Sequence, residues 1–290
     1  MDCRRRLTRI GITALLPALA LFTGLGVAAS ASASTTSTAA QRAEAAAAQA
    51  RAAIKNLVVG FQRSPALKVV HRSTGVKGLS QVESTNWSGY ADTGSGFSHV
   101  TASWTEPKGV SSGRRTTSLA AFWVGIDGYS SDTVEQDGTL IESYEGTVYY
   151  YDWWEIYPEN DVQVVADVSP GDSITSTVTR SGDSYTLSVT DSTHPADSFS
   201  TTQTYSGAAD SSAEWIAEAP SGSSGVYPLT DFGTWTDSGS AVTEGSTSGV
   251  ISSFTDDEIT MVNGDTGAVE AQPGALNSSG NGFTVTWESS

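Results

Sequence analysis

Downstream of residue 84 the chain is built from short runs in which apolar and polar residues alternate, each closed off by Gly, Ser, Asp or Pro. VTASW (100–104), FWVGI (122–126), TVYYYDWWEIY (147–157), VQVVADV (162–168), SITSTVT (173–179), YTLSVT (185–190), AEWIAE (213–218), GVISSF (249–254) and FTVTW (283–287) all have this form. A period of two puts alternate side chains on opposite faces of a strand, so each run predicts a half-buried β-strand. Many short strands separated by turn residues predict a sandwich or barrel. No sustained 3.6-residue period competes with this reading after residue 84. The Ser/Gly-rich stretches 109–113, 221–225 and 245–249 read as loops.

The N-terminal part has a different character. A basic stretch (residues 4–9) precedes an apolar run (10–29) and the small residues Ser30-Ala31-Ser32-Ala33. That order predicts a secretory signal peptide over 1–33, and with it a secreted, extracellular protein without stable membrane association. Cys3 is the only cysteine and falls within this segment, so the remainder has no disulfide, no thiolate nucleophile and no Cys metal site. Residues 39–54 are Ala-rich and predict a helix.

Charge divides the chain as sharply. Residues 84–290 carry 29 acidic against four basic residues, whereas 34–83 carry seven basic against two acidic. So acidic a segment repels nucleic acid, which excludes that partner. The expected organisation is a signal peptide (1–33), a propeptide or spacer (34–83) and one domain (84–290). The charge contrast predicts that the basic segment binds its own acidic domain near neutral pH, as an inhibitor would. A monomer is expected.

The usual catalysts are missing. A nucleophilic serine needs a base, usually His, and only His99 and His194 lie beyond residue 84. Gly109-Val-Ser111-Ser-Gly113 fits G-x-S-x-G but lacks the strand-to-helix setting that motif requires. There is no HExxH, so no catalytic metal and no cofactor is expected. Asp92-Thr-Gly94 and Asp265-Thr-Gly267 imitate the paired motifs of pepsin-like enzymes, but neither aspartate follows an apolar strand and the domain is too short for two lobes.

Trp, Tyr and carboxylates concentrate instead in three segments: 122–138, 149–158 and 213–218. On a strand, Tyr149, Tyr151, Trp153, Glu155 and Tyr157 share one face, as do Glu214, Ile216 and Glu218. A carboxyl set among aromatics is poorly solvated and becomes a candidate acid or base. Alternation alone does not separate Glu214 from Glu218.

Taken in order, Asn86-Trp-Ser-Gly-Tyr90, Phe97 with Trp104 and Pro107, FWVGIDG (122–128), Gln136-Asp-Gly138, DWWEIYP (152–158), Gly171-Asp172 with Ile174, AEWIAE (213–218) and Asp231-Phe-Gly233 resemble the glutamic peptidases, or eqolisins. The resemblance implies an all-β fold, an antiparallel β-sandwich of two large sheets in a lectin-like jelly roll. It also implies an acid endopeptidase whose catalytic pair falls on Gln136 and Glu218. Asp127, Trp123, Trp153, Glu155, Tyr157 and Gly138 are the candidate substrate-binding or supporting residues, and the substrates would be proteins and peptides. The family more often has Gln-Thr-Gly, so Asp137 places an extra acid next to Gln136 in sequence and is expected to perturb pH preference. The aromatic motif also departs from the usual A-W-Y-E-W-Y-P type, and the disulfides of fungal members are absent. A rival reading keeps the sandwich but makes it carbohydrate-active, with Glu155 and Glu218 as paired carboxylates, or a sugar-binding module whose exposed aromatics stack on the ligand.

Overall fold

The computed structural model describes residues 69–74, 80–222 and 224–290. The expected signal peptide and the Ala-rich segment 39–54 lie outside the described residues. The strands are β1 (Val69–Thr74), β2 (Ser80–Ser84), β3 (Trp87–Thr93), β4 (Phe97–Thr105), β5 (Ser118–Ile126), β6 (Val134–Tyr144), β7 (Thr147–Tyr157), β8 (Asn160–Asp167), β9 (Ser173–Ser181) and β10 (Ser184–Asp191). They continue with β11 (Phe199–Thr204), β12 (Ser212–Glu218), β13 (Ser221–Gly222), β14 (Gly225–Val226), β15 (Thr234–Glu244), β16 (Thr247–Gly249), β17 (Asp256–Val262), β18 (Val269–Pro273) and β19 (Gly282–Trp287).

The pairings resolve into two layers. The first runs β1-β2-β17-β3-β12-β5-β6-β7-β8. The second runs β18-β19-β15-β4-β9-β10-β11, with β16 folded back on β15. The layers join at one corner, where Met261 and Val262 of β17 pair with Ala271 and Val269 of β18. All pairings between these strands are antiparallel except β2 with β17. Strands β1 and β2 belong largely to the segment expected as propeptide or spacer, so the first sheet begins upstream of residue 84.

Tyr90, Phe122, Val124, Ile141, Ile156 and Trp215 of the first sheet pack against Phe97, Trp104, Ile174, Leu187, Trp235 and Phe283 of the second. Trp235 is the hub. It stacks on Phe122 with ring centroids 5.4 Å apart and meets Trp104 and Phe283 edge-on at 5.8 and 5.7 Å. Burying each such side chain is worth about 1.5–3 kcal/mol, so a chain of this size holds together without a disulfide.

The first sheet is apolar on its other face too, where Trp87, Leu119, Trp123, Leu140, Tyr151, Trp153, Ile216 and Ile259 form a second cluster. A sheet with a packed core on one side and aromatics on the other carries a candidate ligand surface, and that outer face bears the site described below.

Three readings change on inspection of the strands. GVISSF (249–254) contains a 3-10 turn, Ile251–Ser253, rather than a strand. Ile251 is fully buried and Phe254 packs on the core beside Phe97, so these apolar side chains anchor the segment although only Gly249 pairs with another strand. The stretches 221–225 and 245–249 contribute short hairpin strands, β13 with β14 and β16 with β15; in the latter, Gly245 at φ 57° turns the chain tightly enough to pair its flanks. The third expected loop, 109–113, is irregular.

Candidate active site

Side-chain alternation sorts the central strands. On β6, Leu140 faces the outer cluster, so Gln136, four residues away, does too; on β7 Glu155 is two residues from Trp153, and on β12 Glu218 is two residues from Ile216. Gln136, Glu155 and Glu218 therefore share the outer face of the first sheet. They retain 3 %, 5 % and 7 % of their exposure, which is a sheltered setting but not a sealed one.

Strands β6 and β7 are joined by a two-residue turn in which Glu145 and Gly146 have φ 50° and 86°. Two positive φ values suit the right-handed twist of a hairpin, and the turn fixes the register that sets Gln136 directly opposite Glu155. The Gln136 amide Nε2 donates to Glu155 Oε2 at 2.7 Å, while Gln136 Oε1 has no hydrogen-bond partner among the described residues. Burial pushes the Glu155 carboxyl up to about 8; the Gln136 bond opposes that rise, and the nearby Glu218 carboxyl adds to it. Glu155 and Glu218 are thus close enough to repel each other.

Glu218 closes β12, opposite Ala121 on β5 and Trp87 on β3. Trp123, two residues along β5, donates its indole Nε1–H to Glu218 Oε2 at 2.9 Å. Trp87 meets Trp123 edge to face at 4.9 Å and braces it. Gly138 lies opposite both Trp123 on β5 and Trp153 on β7. A Cβ there would sit 2.0 Å from the Phe122 carbonyl oxygen and 2.7 Å from Trp123 Cα, so only glycine permits this approach. Trp153 is buried and Tyr157 half-buried on the same face.

Asp127 works at a distance from the amide–carboxyl cluster. It directly follows β5 at φ 71° and accepts the backbone N–H groups of Ala209, Asp210 and Ser211 at 2.7–2.8 Å, plus the Ser211 hydroxyl at 2.9 Å. It thereby fixes the segment that leads into β12 and so the strand that carries Glu218. Glu214 is fully buried on the same side of β12, and burial holds its carboxyl well above the usual range.

Asp137 does not stand beside the Gln136 amide. Its side chain points the other way, between the sheets, and accepts the Ser176 hydroxyl. Neighbours in a strand face opposite sides, so Asp137 contacts Ser176 rather than the Gln136 amide.

The alternative catalysts are dispersed. Asp92 is buried within β3 whereas Asp265 is exposed in the β17–β18 turn, and they form no dyad. Ser111 is exposed in its loop and receives the Gly113 N–H. His99 pairs with Thr179. Two features of the outer face went unread in the sequence. Tyr129 donates to Asp257, and Glu142, on the same parity of β6, is buried with its carboxyl pushed up to about 7. Neither sits in a distinctive motif.

The sequence profile of the Peptidase A4 family matches residues 85–285. Aspergillopepsin-2 of Aspergillus niger is 29 % identical over 191 residues, which is 56 % of this chain and 65 % of that protein. The chain therefore spans just under two thirds of that relative's length. The fold matches a crystal structure of scytalido-glutamic peptidase with a transition state analogue inhibitor, with a TM-score of 0.60 at 22 % identity over 70 % of this chain and 98 % of the other. It also matches SCP-B, a member of the eqolisin family of peptidases in complex with the tripeptide Ala-Ile-His, with a TM-score of 0.58 at 22 % identity and the same coverage.

Proposed function

Because the chain belongs to the Peptidase A4 family, we propose that it is a glutamic-type endopeptidase in which Glu218 activates water and Gln136 stabilises the oxyanion. The observation that carries this reading is the arrangement on the outer face of the first sheet, with the Gln136 amide anchored to Glu155 and the Glu218 carboxyl held by Trp123 close enough to repel Glu155.

A Gln side chain has two amide N–H donors. Glu155 takes one, which orients the amide and leaves the second to meet charge developing on a scissile carbonyl oxygen. One such donor is worth about 2.7–4 kcal/mol, and a neutral amide keeps that capacity at any working pH. In acid the Glu155 carboxyl holds its proton, which leaves it to orient the amide, while Glu218 takes a proton from water as that water attacks the peptide carbon. The protonated Glu218 then gives its proton to the leaving nitrogen. An imidazole would be a cation in acid and could not act as base; a carboxylate can, because a base works best near its own pKa. No covalent intermediate forms. The indole donor of Trp123 orients the Glu218 carboxylate, Trp153 packs beneath the same face, and the half-buried Tyr157 offers apolar surface to the peptide.

Secretion behind the signal segment, activity in acid and inhibition by the basic segment 34–83 belong to the same proposal and rest on charge and sequence order. The carbohydrate-active reading gives Gln136 no task, although it is the residue bonded directly to Glu155. The test is cleavage of a denatured protein at pH 3–4 in the presence of a chelator and an inhibitor directed at aspartic dyads. Continued cleavage supports the Gln–Glu reading, and inhibition by either reagent rejects it.

A further inference from the structure

We propose that Asp172, Asp191 and His194 form a binding site for a first-row divalent cation, which staples two loops at one end of the second sheet. The three side chains offer donor atoms that all lie within 4.8 Å of one another. His194 Nδ1 is 2.9 Å from Asp172 Oδ1 and 3.6 Å from Asp191 Oδ2. Two ligands bound to one tetrahedral zinc at about 2.0–2.2 Å each lie about 3.3–3.6 Å apart; the His194–Asp191 separation has that spacing, whereas the His194–Asp172 pair is in direct contact and would open by a few tenths of an ångström to admit the ion.

The second observation is the state of Asp191. Its side chain keeps only 2 % of its exposure. Oδ1 is held by the backbone N–H groups of Thr193 at 2.7 Å and His194 at 2.9 Å. That grip leaves Oδ2 aimed into the cluster, buried and with no hydrogen-bond partner among the described residues. Asp172 is equally well set: Oδ2 accepts the Ser169 N–H at 2.7 Å and Oδ1 faces His194. Two buried carboxylates thus converge on a single imidazole nitrogen, and one imidazolium could neutralise only one of them. The acceptor this network leaves open is Asp191 Oδ2, and a divalent cation would engage it together with Asp172 and His194.

The donor set decides the class of ion. Calcium and magnesium prefer all-oxygen shells, whereas one imidazole with two carboxylates suits zinc and its first-row neighbours. The His194 side chain is 53 % exposed, so the remaining coordination positions face solvent. Asp172 lies in the β8–β9 connection, while Asp191 ends β10 and His194 follows it toward β11. The ion would cross-link these connections in a chain that has no disulfide available. The site belongs to the second sheet, and nothing in it depends on the catalytic proposal.

The test is zinc titration of the purified full chain at pH 7, where a ligating imidazole is neutral. Calorimetry and thermal melting are followed for wild type, His194→Ala and Asp191→Asn. The expected result is one saturable site, a rise in Tm with zinc, and affinity at least about tenfold weaker in each variant. His194→Ala removes a half-exposed side chain and keeps the comparison valid if Asp191→Asn folds poorly. Absence of a saturable site in wild type, or equal affinity in wild type and His194→Ala, overturns the proposal and reduces the cluster to an ion pair on an acidic surface.

Discussion

The indole Nε1 of Trp123, on β5, donates to Glu218 Oε2, on β12, across 2.9 Å. A hydrogen bond to a charged group is worth about 1.5–3 kcal/mol, and this one bears on the proposed base. Trp123→Phe keeps an aromatic ring, smaller than the indole, and removes the donor. It is expected to lower kcat by about 10–100-fold with little change in KM. Steady-state kinetics on a fluorogenic peptide checks this, and an unchanged kcat would mean the indole only fills space.

Glu155 orients the Gln136 amide. Because burial holds its carboxyl up to about 8, it is neutral in acid, and Glu155→Gln replaces it with a neutral group of the same shape. At pH 4 that variant is expected to lose at most about tenfold in kcat. Glu155→Ala leaves the amide unmoored and is expected to lose about 100-fold. Kinetics of the two variants side by side separates orientation from charge.

Several buried carboxyls have no cationic partner among the described residues. Burial raises Asp237 to about 8, Glu106 to about 8 and Asp92 to about 9, from ordinary values of 3.8 to 4.5. A carboxyl raised in the folded state favours folding most below its unfolded pKa, and that advantage is lost as pH climbs through the folded value. Stability is therefore expected to be greatest near pH 4 or below and to fall steadily toward pH 8–9. Asp237→Asn should be near neutral at pH 4 and more stable than wild type at pH 8 by roughly 1–3 kcal/mol. Urea denaturation at the two pH values measures both.

Asp127 accepts three backbone N–H groups from residues 209–211. Asp127→Ala strands these donors, and each unsatisfied buried group costs about 1–3 kcal/mol. The variant is expected to be destabilised by roughly 2–4 kcal/mol in urea, and to lose activity because the approach to β12 loosens. A stability equal to wild type would contradict this role.

The sandwich was legible because its strands announce themselves. TVYYYDWWEIY coincides with β7 residue for residue, since aromatic and β-branched residues, which favour strands, fill most of its length. Strands such as β15 (TWTDSGSAVTE) are harder to see, since Ser, Thr and Gly dilute the apolar half of the pattern. At the site, the shared faces of Glu155 and Glu218 with their aromatic neighbours followed from alternation, and the choice of Glu218 came from family resemblance. The Gln136–Glu155 rung was within reach: once Glu145-Gly146 is recognised as a two-residue turn, every partner across the hairpin is fixed. Recognition of β6 as a strand would also have turned Asp137 away from Gln136. The Trp123–Glu218 bond was out of reach, because it joins residues 95 positions apart through a pairing no local signal encodes. The Asp172–Asp191–His194 cluster is of the same kind, since its members come together only when two connections meet.

The central claim is that the Gln136 amide and the Glu218 carboxylate perform the hydrolysis. The most direct measurement is kcat for Glu218→Gln and Gln136→Ala on a denatured protein substrate at pH 4, with circular dichroism to establish that each variant is folded. Glu218→Gln is expected to show no turnover above background, and Gln136→Ala to fall by about 10²–10³. Full activity in folded Glu218→Gln would contradict the account.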